Sequence, residues 1–514
     1  DYKSLFLDEV NDIIGRVHLF GSHFATLDVR QDSSKHLEAM QIIFKQAFNK
    51  DYDQLSRQEK ISYLTEKSLQ LKAEDFEDET LVDTIQNVYQ IKDIQKENGE
   101  RALHRYIISN TESIFDVLHV YALFKYCGYQ DEDIKIDIVP LFETMVGMDN
   151  SQDVMKDLYE LPVYKKHLEK RDNVQTIMLG FSDGTKDGGY LKANWEILQT
   201  KERLTKVTKD HGNKVVFFDG RGGPPARGGG KSHQFYAAQG DDVSNDKIQL
   251  TIQGQTITSI YGTHEQASYN LEQLLLAGAK PFNKSVKLSQ HYKDLLSELA
   301  NKSYKKYTAL KDDKLFVPYL ENMTTLKYYG ATNIGSRPTK RNGKSSLNFS
   351  DLRAIPFVGS WSTIRQNVPG YYGLGTALES YADKPEVIED LYKNSAFFRT
   401  LINNSMMSMK KSYFPLTQYM KDDKVYGEFW KELRAEYELS KKWALKLTGI
   451  KELMDNEKTT RLSISARENI ILPLLCIQQY ALQMIQQEHP EKDKYEKLVM
   501  RCLFGNINAS RNSA

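Results

Sequence analysis

Three cysteines in 514 residues, Cys127, Cys476 and Cys502, are too few and too scattered for a disulfide framework or a zinc site, and they suit a reducing compartment. Net charge is also lacking. The 69 Lys+Arg balance 69 Asp+Glu, so no overall field draws the molecule to nucleic acid or membrane, and basic residues must act locally. The longest apolar run, Ile470 to Ile477, is interrupted by Pro473 and falls far short of the roughly 20 residues needed to span a bilayer. No secretory pattern is visible, which makes the cytoplasm the expected location. The chain opens Asp1-Tyr2-Lys3 without methionine and runs straight into an amphipathic pattern of Leu5, Val10, Ile13, Ile14 and Val17. Because a terminus ordinarily frays in polar residues first, the expectation is a piece of something longer. Length alone sets a prior of roughly three or four domains, which barrels and large helical proteins often break.

What is present centres on Val215 to His233, VVFFDGRGGPPARGGGKSH. A short apolar strand leads into a loop with six glycines between Gly220 and Gly230, two arginines, Arg221 and Arg227, and then a segment able to start a helix. Glycine lets the backbone approach a ligand closely, and arginine offers a fixed fork of donors for phosphate or carboxylate. Strand, Gly/Arg loop and helix start together form an anion cradle. RGG and GGG also occur in disordered RNA-binding tails, but such tails repeat. This loop occurs once, clamped between the strand and Phe235-Tyr236.

For some two hundred residues before it, strands and helices alternate. The predicted strands are Phe24 to Arg30, Arg105 to Ser109, Ile134 to Phe142 and Val174 to Phe181. Asp32-Ser33-Ser34 cap a helix to about Lys50, Ser113 and Asp116 resemble a capping box for a helix stopping at Gly128, and another helix covers about Asp153 to Lys170. The alternation predicts a parallel sheet with crossover helices, doubly wound or closed into a barrel. Arg30, Glu143, Asp183 and Arg221 each fall at the carboxyl end of a predicted strand, and in a parallel barrel those ends share the catalytic face. Two carboxylates without a nearby His or Cys pair suit Mg²⁺ or Mn²⁺, and several arginines suit a phosphorylated or multiply carboxylated substrate. The ordinary alternative for Glu143 and Asp183 is a salt bridge to those arginines, which leaves the glycine loop unexplained. A metal-dependent reaction on a phosphate-bearing anion is the expectation.

Leu250 to Gly262 (LTIQGQTITSIYG) reads as strand-like, followed by helices from about Glu265 to the end. The basic, turn-rich run Gly335 to Lys344 is by itself a solvated linker. Followed by Arg353 inside the apolar LRAIP segment, which calls for an anionic partner, it suggests a mobile lid over an anion site. Farther on, Lys411, Arg467 and the terminal Arg511-Asn512 stand out, with a satisfied ion pair the default for Arg467.

The ordered set LDVRQ, VPLFET, FSDGTKD, FDGRGGPPARGGG, GSRPTKR and LRAIP resembles the carboxyl-terminal half of bacterial and plant phosphoenolpyruvate carboxylases, from about His18 to Ala514. The resemblance implies a mainly α-helical fold around a β/α (TIM-like) barrel, here incomplete, with residues 1–265 carrying the barrel and most of the active site. Residues 266–514 would be a helical region with a mobile loop at 335–348 and an allosteric site. By position Glu143 and Asp183 would hold the divalent metal, and Arg30, Arg221 and Arg353 would grip phosphoenolpyruvate. Lys186, Arg227 and Arg337 would surround bicarbonate, and Lys340 and Arg341 would belong to the mobile loop. Arg227, Lys411, Arg467 and Asn512 would bind aspartate or malate as inhibitor. The implied reaction passes through carboxyphosphate and the enolate of pyruvate to oxaloacetate, an anaplerotic product for the tricarboxylic acid cycle, in a homo-oligomer, a tetramer in the complete enzyme.

Three departures qualify the resemblance. The family's catalytic histidine in T-A-H-P-T-E is absent, the only His-Pro being His489-Pro490, so this chain alone is expected to be inactive. Asp219 stands where the family usually has histidine, and it would repel bicarbonate unless paired. Pro224 and Pro225 stiffen a stretch that is usually small and flexible. The competing reading is a non-catalytic dicarboxylate-binding regulatory module. An RNA-binding use of the Gly/Arg loop would require salt-dependent affinity, which the neutral net charge disfavours.

Overall fold

The computed structural model describes residues 3–252, 255–279, 287–329, 349 and 352–510. Six strands form one sheet in chain order: β1 (Leu27–Asp32), β2 (Leu103–Ser109), β3 (Asp137–Phe142), β4 (Val174–Gly180), β5 (Lys214–Gly220) and β6 (Ile248–Leu250). From β1 to β4 neighbours run parallel, with Arg30 beside Ile107 and Ile107 beside Val139. Helices make up most of the rest, so the chain is mainly helical around an incomplete β/α barrel, as expected.

The chain forms two compact units, residues 1–179 with 203–218, and residues 180–202 with 219–514. In the first unit Ile107, Val139, Leu141, Met178 and Phe218 form the packed interior of the sheet. Its local signals act as expected. Asp32 accepts the Ser34 N–H at 3.2 Å to cap the helix Ser33–Ala47. The Ser113 N–H donates to Asp116 at 2.9 Å in a capping box before the helix Ile114–Tyr126. The one helix expected over Asp153 to Lys170 is instead two, Met145–Glu160 and Pro162–Glu169. Leu161 turns extended because the ring of Pro162 disfavours a helical residue before it. The amphipathic helix Leu7–Phe20 has no buried residue; Ile13 and Val17 are 60% and 62% exposed.

In the second unit the strand-like reading of Leu250 to Gly262 fails. β6 ends at Leu250, and Gln255–Tyr261 is helical, Ile257 and Ile260 being spaced as well for a helical face as for a strand. The core here is aromatic. Phe316, Tyr319, Trp361, Phe429 and Trp430 pack together. Within it the Thr417 hydroxyl accepts Trp430 Nε1–H at 3.0 Å and Gln366 Nε2–H at 3.1 Å. The long helix Lys458–Gln486 continues through Pro473 and packs on Lys492–Ser510. Among the described residues no helix is long and apolar enough to cross a membrane.

Candidate active site and anion-binding loop

In the first unit, Glu143 directly follows β3 and is 3% exposed. Its Oε1 accepts the backbone N–H of Asn110 at 3.0 Å, and its Oε2 lies 3.9 Å from Arg30 Nη2. Asn110 follows β2 with φ at +59°, a left-handed turn that asparagine tolerates and that aims its N–H at the carboxylate. The Arg30 contact is at the outer limit of an ion pair, so the backbone donor holds Glu143 more firmly than the arginine does.

In the second unit, Asp183 sits in the first turn of the helix Phe181–Gly188, which starts at the end of β4. Helix N-termini favour negative charge. Burial draws the Arg227 guanidinium down to about 10, while the Asp183 charge opposes that shift. Arg227 is 1% exposed, and its Nε–H donates to Ser182 Oγ at 3.3 Å. For Asp183, then, the salt-bridge alternative has a named candidate in Arg227.

The glycine loop is a tight coil rather than an open cradle. The Pro224 carbonyl accepts N–H groups from both Arg227 and Gly229 at 2.9 Å, and the Gly222 N–H donates to the Arg227 carbonyl at 2.6 Å. Pro225 begins a single 3₁₀ turn, Pro225–Arg227, where its fixed φ fits. At Gly229 a Cβ would stand 1.8 Å from the Gly223 carbonyl oxygen, so no other residue fits there. Gly228 has φ at +78°, and a Cβ there would meet Phe181 at 2.6 Å.

Arg221 leaves β5 and turns into the second unit, 4% exposed. Its Nε–H donates to the Gly228 carbonyl at 2.5 Å, and its guanidinium lies 4.3 Å over the Phe235 ring. Its Nη1 is buried without a hydrogen-bond partner. A buried guanidinium fixed on one edge and unsatisfied on another has a donor left over for an acceptor.

Asp219 is paired. Lys201 Nζ donates to its Oδ2 at 2.7 Å, and the Tyr236 hydroxyl donates to the same oxygen at 2.7 Å. Both members of the ion pair are 1% exposed. Burial pulls the Lys201 ammonium below the ordinary lysine value, Asp219 opposes this and Arg221 adds to it. Burial, then Asp219, pushes the Tyr236 phenol well up. Lys201 was not singled out from the sequence. Its signal is a lysine in the apolar stripe of Ile197, Leu198 and Leu204, three and four residues away.

Lys186 is buried in the helix Phe181–Gly188, with its Nζ 4.6 Å over the Phe349 ring. Arg353 is half-buried between the buried Leu352 and Ala354, as the residue capping the helix Ala354–Ser362. Lys411 follows the helix Ala396–Lys410, and burial with the like charges of Arg365 and Arg467 brings its ammonium down to about 8. Arg365, missed in the sequence, donates Nη1–H to the Lys411 carbonyl at 3.4 Å, and Glu468 lies near enough to offset its charge. A cavity of about 30 Å³ is bounded by Pro224, Pro225, Arg365 and Lys411, so this cationic cluster shares a wall with the glycine loop. Arg337, Lys340, Arg341, Asn512 and the 335–348 loop lie outside the described residues.

A parallel sheet with charged residues just beyond its strand ends and a coiled Gly/Arg loop after β5 defines a β/α-barrel protein of the kind that carries its functional residues at the carboxyl ends of its strands. The chain belongs to the phosphoenolpyruvate carboxylase family, whose model matches residues 2–510. It is 32% identical over 98% of its length to the phosphoenolpyruvate carboxylase of Nitrosomonas europaea, of which it covers 56%. It is 31% identical to those of Prochlorococcus marinus, over 94% of this chain and 52% of the relative, and Corynebacterium glutamicum, over 98% and 58%. The chain thus spans just over half the length of the curated relatives it matches.

Proposed function

We propose that this chain carries the anion-handling part of a phosphoenolpyruvate carboxylase, which converts phosphoenolpyruvate and bicarbonate to oxaloacetate and phosphate. The observation that carries this reading is Arg221, buried and held by Gly228 and Phe235 with Nη1 left for an incoming anion. Arg30, Arg221 and Arg353 bind the phosphate and carboxylate of phosphoenolpyruvate. Lys186, Arg227 and Arg337 orient bicarbonate, so that its oxygen takes the phosphoryl group and leaves carboxyphosphate and the enolate of pyruvate. Carboxyphosphate then breaks to CO₂ and phosphate, and the enolate carbon takes up the CO₂. Such transfer depends on positioning and charge neutralisation, which fixed guanidinium and ammonium groups provide.

Mg²⁺ or Mn²⁺ would be held by Glu143 and Asp183. Among the described residues no cluster of three or more His, Cys, Asp or Glu could hold a metal, and two carboxylates with substrate oxygens are the donor set Mg²⁺ ordinarily takes. The buried Glu143, with its Oε1 fixed by Asn110, fits such a ligand. When bound, the ion supplies charge neutralisation for the transferring phosphoryl group. Arg227, Lys411, Arg467 and Asn512 form the inhibitory site for aspartate or malate, supported by the cationic cluster of Lys411, Arg365 and Arg467. The complete enzyme is a cytoplasmic homo-oligomer, a tetramer, feeding the tricarboxylic acid cycle, and this chain alone does not turn over.

The test joins this chain to the unmatched portion of the Corynebacterium glutamicum relative and follows oxaloacetate with malate dehydrogenase. Turnover with Mg²⁺ or Mn²⁺ that collapses in Asp183→Ala is expected. A soluble, folded fusion without turnover overturns the proposal.

A further inference from the structure

The Lys201–Asp219 pair is a buried charge pair that nothing in the proposed reaction uses. Removing two charges from water is expensive, and a pair this buried is often no more stable than an apolar replacement. Its position explains what else it does. Asp219 is the penultimate residue of β5, and its backbone carbonyl accepts the Arg221 N–H at 3.0 Å. Its carboxylate gathers Lys201 from the helix Tyr190–Asp210 and Tyr236 from the helix Ser232–Ala237. Tyr236 and Phe235 meet edge to face at 5.4 Å, and the two rings lie between two cations. Arg221 is 4.3 Å from the Phe235 centroid and Lys201 is 5.6 Å from the same ring. Gln239 Oε1 adds a weaker contact to Lys201 at 3.5 Å.

The charges therefore alternate along this line as plus, minus, plus. Lys201 pairs with Asp219 through Oδ2 and so offsets the acid that stands two residues before Arg221. Without Lys201, the Asp219 carboxylate would be left buried beside Arg221 and would compete with any incoming anion for it. Tyr236 would lose the fixed acceptor that holds the ring pair beneath the guanidinium.

We propose that Lys201 is a positioning residue for Arg221, acting through Asp219 and Tyr236. It neutralises the acid at the end of β5 and locks the Phe235-Tyr236 shelf on which the guanidinium rests. The inference rests on the reading of Arg221 as a phosphoenolpyruvate contact, and its test separates the two.

The test uses the 514-residue chain, with Lys201→Met, Lys201→Met/Asp219→Asn and Tyr236→Phe. Hydrogen exchange of peptides covering residues 219–237 is measured together with phosphoenolpyruvate affinity by calorimetry. Lys201→Met should speed exchange in 219–237 and weaken phosphoenolpyruvate by about tenfold or more, the effect of leaving a buried charge unpaired. The double variant, whose pair is neutral, should return both to within about threefold of the parent. A merely structural role would instead raise exchange across the whole unit without rescue by the double variant. Parental exchange and affinity in Lys201→Met overturn the proposal. If Lys201→Met does not fold, Tyr236→Phe decides, because it keeps the ring and removes the hydroxyl that meets both Asp219 and Arg221. Faster local exchange supports the proposal, and parental exchange overturns it. If the parent chain fails to bind phosphoenolpyruvate, the reading of Arg221 fails, while the exchange measurements still decide the role of Lys201.

Discussion

The Gly222 N–H donates to the Arg227 carbonyl at 2.6 Å, so the two arginines of the loop are joined by a short backbone closure rather than by side chains. The fit leaves no room for a methyl group at its tightest point. Gly229→Ala places a Cβ 1.8 Å from the Gly223 carbonyl and forces the coil open. A loss of about 1–3 kcal/mol in urea unfolding is expected, together with loss of phosphoenolpyruvate binding. Alanine at Gly212, where a Cβ meets nothing within 4 Å but φ is +75°, should disturb stability alone.

Lys411 gives the proposed inhibitory site a pH dependence. Its ammonium titrates near 8 in the folded chain, while the unfolded chain keeps the proton to about 10.4. Aspartate or malate should bind most tightly below pH 8 and weaken above it, with proton uptake on binding in that range. Calorimetry in two buffers of different ionisation enthalpy measures the uptake, and Lys411→Met should abolish it. The unfolded chain holds more protons between pH 8 and 10.4, so this residue makes stability rise with pH there.

Mn²⁺ affinity tests the assigned carboxylates independently of turnover. Electron paramagnetic resonance should detect Mn²⁺ binding in the presence of phosphoenolpyruvate. Glu143→Gln and Asp183→Asn should each weaken it by about tenfold or more, since one charged ligand is lost. Parental affinity in either variant removes that residue from the metal assignment.

Thr417 tests the aromatic core of the second unit. Thr417→Val keeps the volume and strands two buried donors, Trp430 Nε1–H and Gln366 Nε2–H. A loss of about 1–3 kcal/mol is expected in chemical unfolding, without a change in anion affinity.

Much of this was legible in the chain because it rests on local rules. Strand ends, the Ser113–Asp116 capping box and the Gly/Arg loop are written in adjacent residues. Arg30 and Glu143, both charges at predicted strand ends, lie 3.9 Å apart. The misreadings have equally local causes. Pro162 divides a helix expected to be whole, and Ile257 and Ile260 suit either period. Lys201 and Arg365 were hidden because their partners, Asp219 and the Lys411 carbonyl, lie 18 and 46 positions away. An isolated lysine in an apolar stripe marks a buried anion somewhere, but only the fold says which one.

The Pro224–Gly229 turn is closed by its own backbone, with Arg227 and Gly229 donating to the Pro224 carbonyl and Gly228 to that of Pro225. The ordering entropy of the loop is therefore met during folding, not on association. Anion capture should then involve little change in heat capacity beyond the apolar surface that the ligand itself covers. Rigid as it is, the turn also carries Pro224 and Pro225 into the wall of the Lys411 cavity, so an occupant there presses on a stiff element rather than a slack one.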